Sequence, residues 1–223
     1  MTMKTVAVIS QKGGAGKTTL AIHLAAAASA AGFVALVVDT DPQATACAWH
    51  TWRGEVDPDV IDCAAHSLLP KKLHQAADLG ANLAVIDTPP HADIMAREAC
   101  KAADLILIPC RPRAFDLDAV RTTAELVAVS RKPAFLIFMG GPPRAPLVYQ
   151  EAKQVVEQFG LKVAPVMLPE RAAFHHSVGG GKTALEMDPQ GKAAEEVASL
   201  WSWVCKHISM PTHKQVRQKR GAA

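Results

Sequence analysis

Short apolar runs alternate along this chain with longer stretches whose apolar residues recur at helical spacing. The runs at 4–10, 34–39, 59–63, 82–87, 104–109, 133–139 and 162–166 are too short for helices. They have the apolar character of strands buried on both faces. Helical stretches fall between them at 17–31, 67–79, 93–102, 115–130 and 145–159, with a last one at about 190–208. Three of these stop at Gly32, Gly80 and Gly160, residues able to take the left-handed conformation that closes a helix. Strands alternating with helices predict βαβ units: an α/β fold with a mostly parallel, twisted sheet of about seven to eight strands and helices on both faces. No internal repeat, Gly/Ser-rich linker or charge block divides the chain, so residues 1–223 read as a single domain.

The first apolar run leads into Lys12-Gly13-Gly14-Ala15-Gly16-Lys17-Thr18-Thr19, a phosphate-binding loop, which makes the expected architecture that of a P-loop NTPase. Glycines at 13, 14 and 16 let the backbone bend with its N–H groups inward, where side chains would block a phosphate. The helix that opens near Gly16 and Lys17 adds the positive end of its dipole. Lys17 then reaches the β and γ phosphates, the Thr18 hydroxyl suits Mg²⁺, and Thr19 touches the α-phosphate. The general loop pattern wants glycine at position 11, where this chain has Gln11, and it places a second lysine, Lys12, at the front. Two other strands end in acidic blocks, Val38-Asp39-Thr40-Asp41-Pro42-Gln43 and Val85-Ile86-Asp87-Thr88-Pro89-Pro90. Ligands of parallel sheets lie beyond the carboxyl ends of the strands, so Asp39, Asp41 and Asp87 can converge on the loop. Asp87, closing an apolar strand, sits where a Walker B carboxylate holds a Mg²⁺-bound water. Asp39 and Asp41 share a face if the second strand continues through Asp41.

Together these three blocks resemble the ParA family of DNA-partition ATPases, within the wider deviant Walker A group. Pro169-Glu170-Arg171-Ala172-Ala173-Phe174 and Gly181-Lys182-Thr183 extend the resemblance into the last third. It implies an ATPase with ATP and Mg²⁺ as cofactors, weak alone, in which the front lysine, here Lys12, crosses an ATP-sandwich homodimer to the nucleotide of the partner subunit. Asp41 would orient or polarise the attacking water, the metal would be held by Thr18, Asp41 and Asp87, and Asp39 would have a structural role. Met139 and Pro169 would wall the adenine. Arg144 and Arg171 would contact DNA without sequence preference, with Lys182 as a further candidate. A separate ParB-type centromere-binding adaptor would bring the cargo and stimulate hydrolysis. With the ATPase strand at the start of the sequence, a small form without the helix-turn-helix extension of the larger partition ATPases is expected. A MinD-like ATPase acting at membranes, or positioning of a protein cargo, are the alternatives.

Composition narrows this only slightly. With 49% hydrophobic and 20% charged residues the chain is expected to fold as a globular protein, and its net charge of +3 identifies no partner. His213, Lys214, Arg217, Lys219 and Arg220 gather in a basic tail at about 210–223 that is either solvated or in contact with phosphates. No run of about 18 apolar residues and no signal peptide is visible, so a cytoplasmic, nucleoid-associated protein with no membrane partner is expected. Five separated cysteines read as buried apolar residues rather than the interface thiolates an iron–sulfur carrier needs. Trp201, Trp203, Val204 and Ile208 make an apolar stripe near the C-terminus that suits a core better than a membrane face.

Overall fold

A computed structural model describes residues 2–54 and 56–211. The basic tail cations at 213–220 lie outside the described residues. Among the described residues, seven strands form one parallel sheet: β1 (Lys4–Val8), β2 (Ala35–Asp39), β3 (Asp59–Asp62), β4 (Leu83–Asp87), β5 (Leu105–Cys110), β6 (Ala134–Phe138) and β7 (Lys162–Val163). Their order is β3-β2-β4-β1-β5-β6-β7, so β1 lies at the centre. In register, Val8 pairs with Asp87 and Asp39 pairs with Asp87, which brings all three loop-bearing strand ends to one edge.

The helices are α1 (Lys17–Ala30), α2 (Thr45–Arg53), α3 (Leu69–Asp78), α4 (Asp93–Ala102), α5 (Ala114–Ala128), α6 (Pro146–Gln158), α7 (Ala172–Gly179), α8 (Ala184–Met187) and α9 (Lys192–His207). Alternation along β1 explains the two layers. Val6 and Val8 enter one core with residues of α1, α2, α7, α8 and α9, while Ala7 and Ile9 enter the other with α3, α4, α5 and α6. The alanine-rich α1 is buried almost throughout because it lies against both the sheet and α9.

Two differences from the sequence pattern have local causes. The last strand is two residues long rather than five, since Pro165 has no N–H to offer the ladder, and pairing resumes only at the Met139–Leu168 bridge. Helices α2, α7 and α8 are additional. The first starts at Ala44 in the left-handed conformation without a side-chain cap, so nothing local announces it. The third carries a readable signal, the capping box of Thr183 and Glu186.

The C-terminal stripe is core. Trp201 is buried edge-on to Phe33 with ring centroids 5.7 Å apart, and Val204 and Ile208 are buried beside it. Trp203 packs on Phe135. Among the described residues, no helix is long and apolar enough to cross a membrane.

Candidate active site

Residues 10–16 turn from β1 into α1. Gly14 (φ 71°) and Gly16 (φ 94°) occupy the left-handed region, and a Cβ at Gly16 would come within 3.1 Å of the Met139 Cε. Gly13 is exposed, with open space where a Cβ would sit, so its backbone does not itself demand glycine. The loop is braced from both sides: the Gln11 amide donates to Asp93 at 2.6 Å, and the Thr88 hydroxyl donates to the Val8 carbonyl at 2.8 Å.

Above the loop lies a cavity of about 330 Å³. Its floor is residues 13–19, Asp41 stands on one wall, and Met139, Pro169, Arg111 and Glu170 close the other end. Met139 and Pro169 reach it together because the Gly140 N–H donates to the Leu168 carbonyl, tying the end of β6 to the segment before α7. Arg111, which no sequence motif marks, and Glu170, from the 169–174 segment, come to the same place through the adjacent ends of β5 and that segment.

Inside the cavity, Lys17 is buried and its ammonium donates to the Lys12 carbonyl at 3.1 Å. Burial lowers its pKa, while Asp87 and Asp41 pull it back up. Asp87 is 1% exposed and neither carboxylate oxygen has a hydrogen-bond partner. Burial drives its pKa up to about 7; the Thr18 hydroxyl is close enough to oppose the rise but lies outside bonding geometry. A buried carboxylate without donors is costly unless a cation or its water shell completes it. Asp87 with the Thr18 hydroxyl therefore fits a hydrated Mg²⁺, a hard ion that keeps several waters and takes oxygen ligands.

The two aspartates of the second block have separate tasks. β2 ends at Asp39, so the strand does not carry Asp41 onto the same face. Asp39 is fully buried and spends its oxygens on backbone amides, those of Asp41 (3.1 Å) and Cys47 (3.0 Å). It thereby fixes both the 41–44 turn and the start of α2. Asp41 is half-buried, accepts the Gln43 N–H, and faces the cavity.

Lys12 does not enter its own cavity. Its ammonium lies 3.5 Å from Asp116 in the first turn of α5, beside a second recess lined by Gln11, His91, Asp93 and Thr122. The two arginines also differ. Arg144 is exposed in the turn before α6. Arg171 is not a free surface cation, because its guanidinium is paired with Glu196 on α9, with Nε 2.8 Å from Oε2. The Lys182 side chain is exposed, and its carbonyl accepts the Trp49 indole N–H. Cys63, Cys100, Cys110 and Cys205 are buried, whereas Cys47 is half-buried next to Asp39.

The chain has known relatives. Residues 6–184 match the CobQ/CobB/MinD/ParA nucleotide binding domain family. The protein named Maintenance of carboxysome distribution protein A from Gloeobacter kilaueensis is 30% identical over 214 residues, covering 95% of this chain and 96% of that one. The chain belongs to the ParA family of ATPases. The Chromosome-partitioning ATPase Soj of Thermus thermophilus is 27% identical across 89% of this chain and 94% of its own length. The fold is also that of Cyanothece McdA in its ATP complex, with a TM-score of 0.73 at 18% identity, covering 94% of this chain and 98% of that one.

Proposed function

We propose that this ParA-family chain is a positioning ATPase whose ATP-bound form is a sandwich dimer, each copy lending Lys12 to the nucleotide held by its partner. The observation that carries this reading is the direction of Lys12, which lies outside its own cavity, on the face beside Asp116 and His91. A cation beside the loop that points away from its own triphosphate site is placed to serve another copy's. Within one copy, Lys17 would neutralise the β and γ phosphates and Asp41 would orient the attacking water. Thr18 and Asp87 would hold the Mg²⁺ shell, and the ion would supply charge neutralisation across the β and γ oxygens. Met139 and Pro169 would flank the adenine. With one cation missing from each monomer, hydrolysis is slow until two copies meet.

The dimer would bind DNA without sequence preference and so associate with the nucleoid, with Arg144 as the exposed candidate contact. Arg171, held by Glu196, would need to leave that pair first. An adaptor of the ParB type, or a functional equivalent, would stimulate hydrolysis. The cargo is a plasmid, a chromosome or, as the name of the Gloeobacter relative favours, a protein assembly. The burial of Trp201, Val204 and Ile208 weighs against a MinD-like membrane face there.

Nucleotide binding and sedimentation of three variants test the reading. Lys17→Ala is expected to lose ATP binding, Lys12→Ala to bind ATP without dimerising, and Asp41→Ala to dimerise without hydrolysis. Wild-type hydrolysis by Lys12→Ala refutes it.

A further inference from the structure

We infer that Asp116 is a latch on the front lysine: a positioning residue that holds Lys12 in the free monomer and must release it before two copies can close. The inference rests on the dimer proposed above and concerns how that dimer is prevented from forming empty.

Two restraints act on residue 12. Its ammonium lies 3.5 Å from the Asp116 carboxylate, whose side chain is only 12% exposed, while the lysine side chain is 35% exposed. Its carbonyl accepts the Lys17 ammonium at 3.1 Å. The second restraint is the one a nucleotide removes. A triphosphate outbids a single neutral carbonyl for the Lys17 charge, so binding frees the Lys12 backbone. The first restraint then remains as a bounded penalty. Moving Lys12 to a partner leaves a mostly covered carboxylate without its cation, a cost that only another strong anion for Lys12 offsets. A triphosphate in the facing subunit is such an anion, and an empty loop is not. The neighbouring surface suits a second copy: Phe115, beside Asp116 in the chain, is 86% exposed, and Ile94, beside Asp93 of the recess, is 61% exposed.

Dimerisation with a non-hydrolysable ATP analogue, followed by sedimentation velocity, tests the latch in wild type, Asp116→Asn, Asp116→Glu, Lys12→Ala and Lys12→Ala/Asp116→Asn. Asp116→Asn keeps the shape and deletes the charge. It is expected to tighten the dimer roughly five- to tenfold, equivalent to about 1 kcal/mol for a partly exposed pair, and to raise unstimulated ATPase activity. Asp116→Glu restores the charge and returns the affinity toward wild type, which a merely structural role for Asp116 would not produce. In the Lys12→Ala background the Asn substitution changes nothing, because the latch has no bolt. An unchanged or weaker dimer for Asp116→Asn overturns the inference. If Lys12→Ala itself dimerises normally, the dimer reading falls; if Lys12→Ala fails while Asp116→Asn equals wild type, only the latch falls. Should Asp116→Asn not fold, Asp116→Ser deletes the same charge with a smaller side chain: a severalfold tighter dimer supports the latch, and an unchanged or weaker one overturns it.

Discussion

His23 offers a quantitative test of how α1 is held in place. The ring is fully buried, with Nδ1 2.8 Å from the Thr19 carbonyl and Nε2 3.1 Å from the Ala184 backbone N. Because the Ala184 N–H donates, Nε2 must accept, which fixes the neutral tautomer with its proton on Nδ1 donating to Thr19. A second proton on Nε2 would face a donor head-on in a dry site. Burial accordingly lowers the pKa from 6.5 to about 4, against the opposing pull of the Thr19 carbonyl and Glu186. The unfolded chain takes the proton near 6.5 and the folded chain only near 4. Stability from this group is therefore complete above pH 6.5 and is lost as pH falls toward 4. At about 1.4 kcal/mol per unit of pH, the full loss is about 3 kcal/mol, of which about 2 kcal/mol has gone between pH 7.5 and pH 5. Urea unfolding of wild type and His23→Asn at those two pH values measures it. The asparagine can still donate to Thr19 but leaves the Ala184 N–H unpaired, costing about 1–3 kcal/mol at pH 7.5. Lacking a titrating ring, it should close on wild type by about 2 kcal/mol at pH 5. Parallel losses in the two proteins would refute the assigned tautomer and the buried neutral ring.

Three further outcomes follow from the geometry. Gly16→Ala, forced into φ 94° and against Met139, should lose about 1–3 kcal/mol of stability and at least tenfold in ATP affinity; urea unfolding reads the first and calorimetric titration with ATP the second. Trp201→Ala empties a core position against Phe33 and should cost about 3–5 kcal/mol in urea unfolding while leaving ATP binding per folded molecule unchanged. On the DNA contact proposed above, Arg144→Ala should weaken binding in ATP equally for unrelated sequences and lower the salt slope by about one, as measured by fluorescence anisotropy at increasing salt; loss of binding to one sequence alone would contradict a phosphate contact.

The parallel α/β sheet and the place of the phosphate loop along the chain were legible in the order of residues, because both are written in neighbouring positions. Strand runs, glycine stops and the spacing of Lys12, Gly16, Lys17 and Thr18 are local patterns, and the period of each matches the structure it builds. The residue order also put Asp39, Asp41 and Asp87 at one edge, since parallel strands point their carboxyl ends the same way. Packing divided their labour, giving Asp39 to backbone amides, leaving Asp87 without a donor, and turning Asp41 into the cavity. Only it joined Lys12 to Asp116, Arg171 to Glu196, and His23 to the N–H of Ala184, 161 residues away. Such pairs have no period and no fixed spacing. They exist because the packed layers bring distant charges and donors into a dry interior, where each must find a partner or, like Asp87, bear the cost of having no donor.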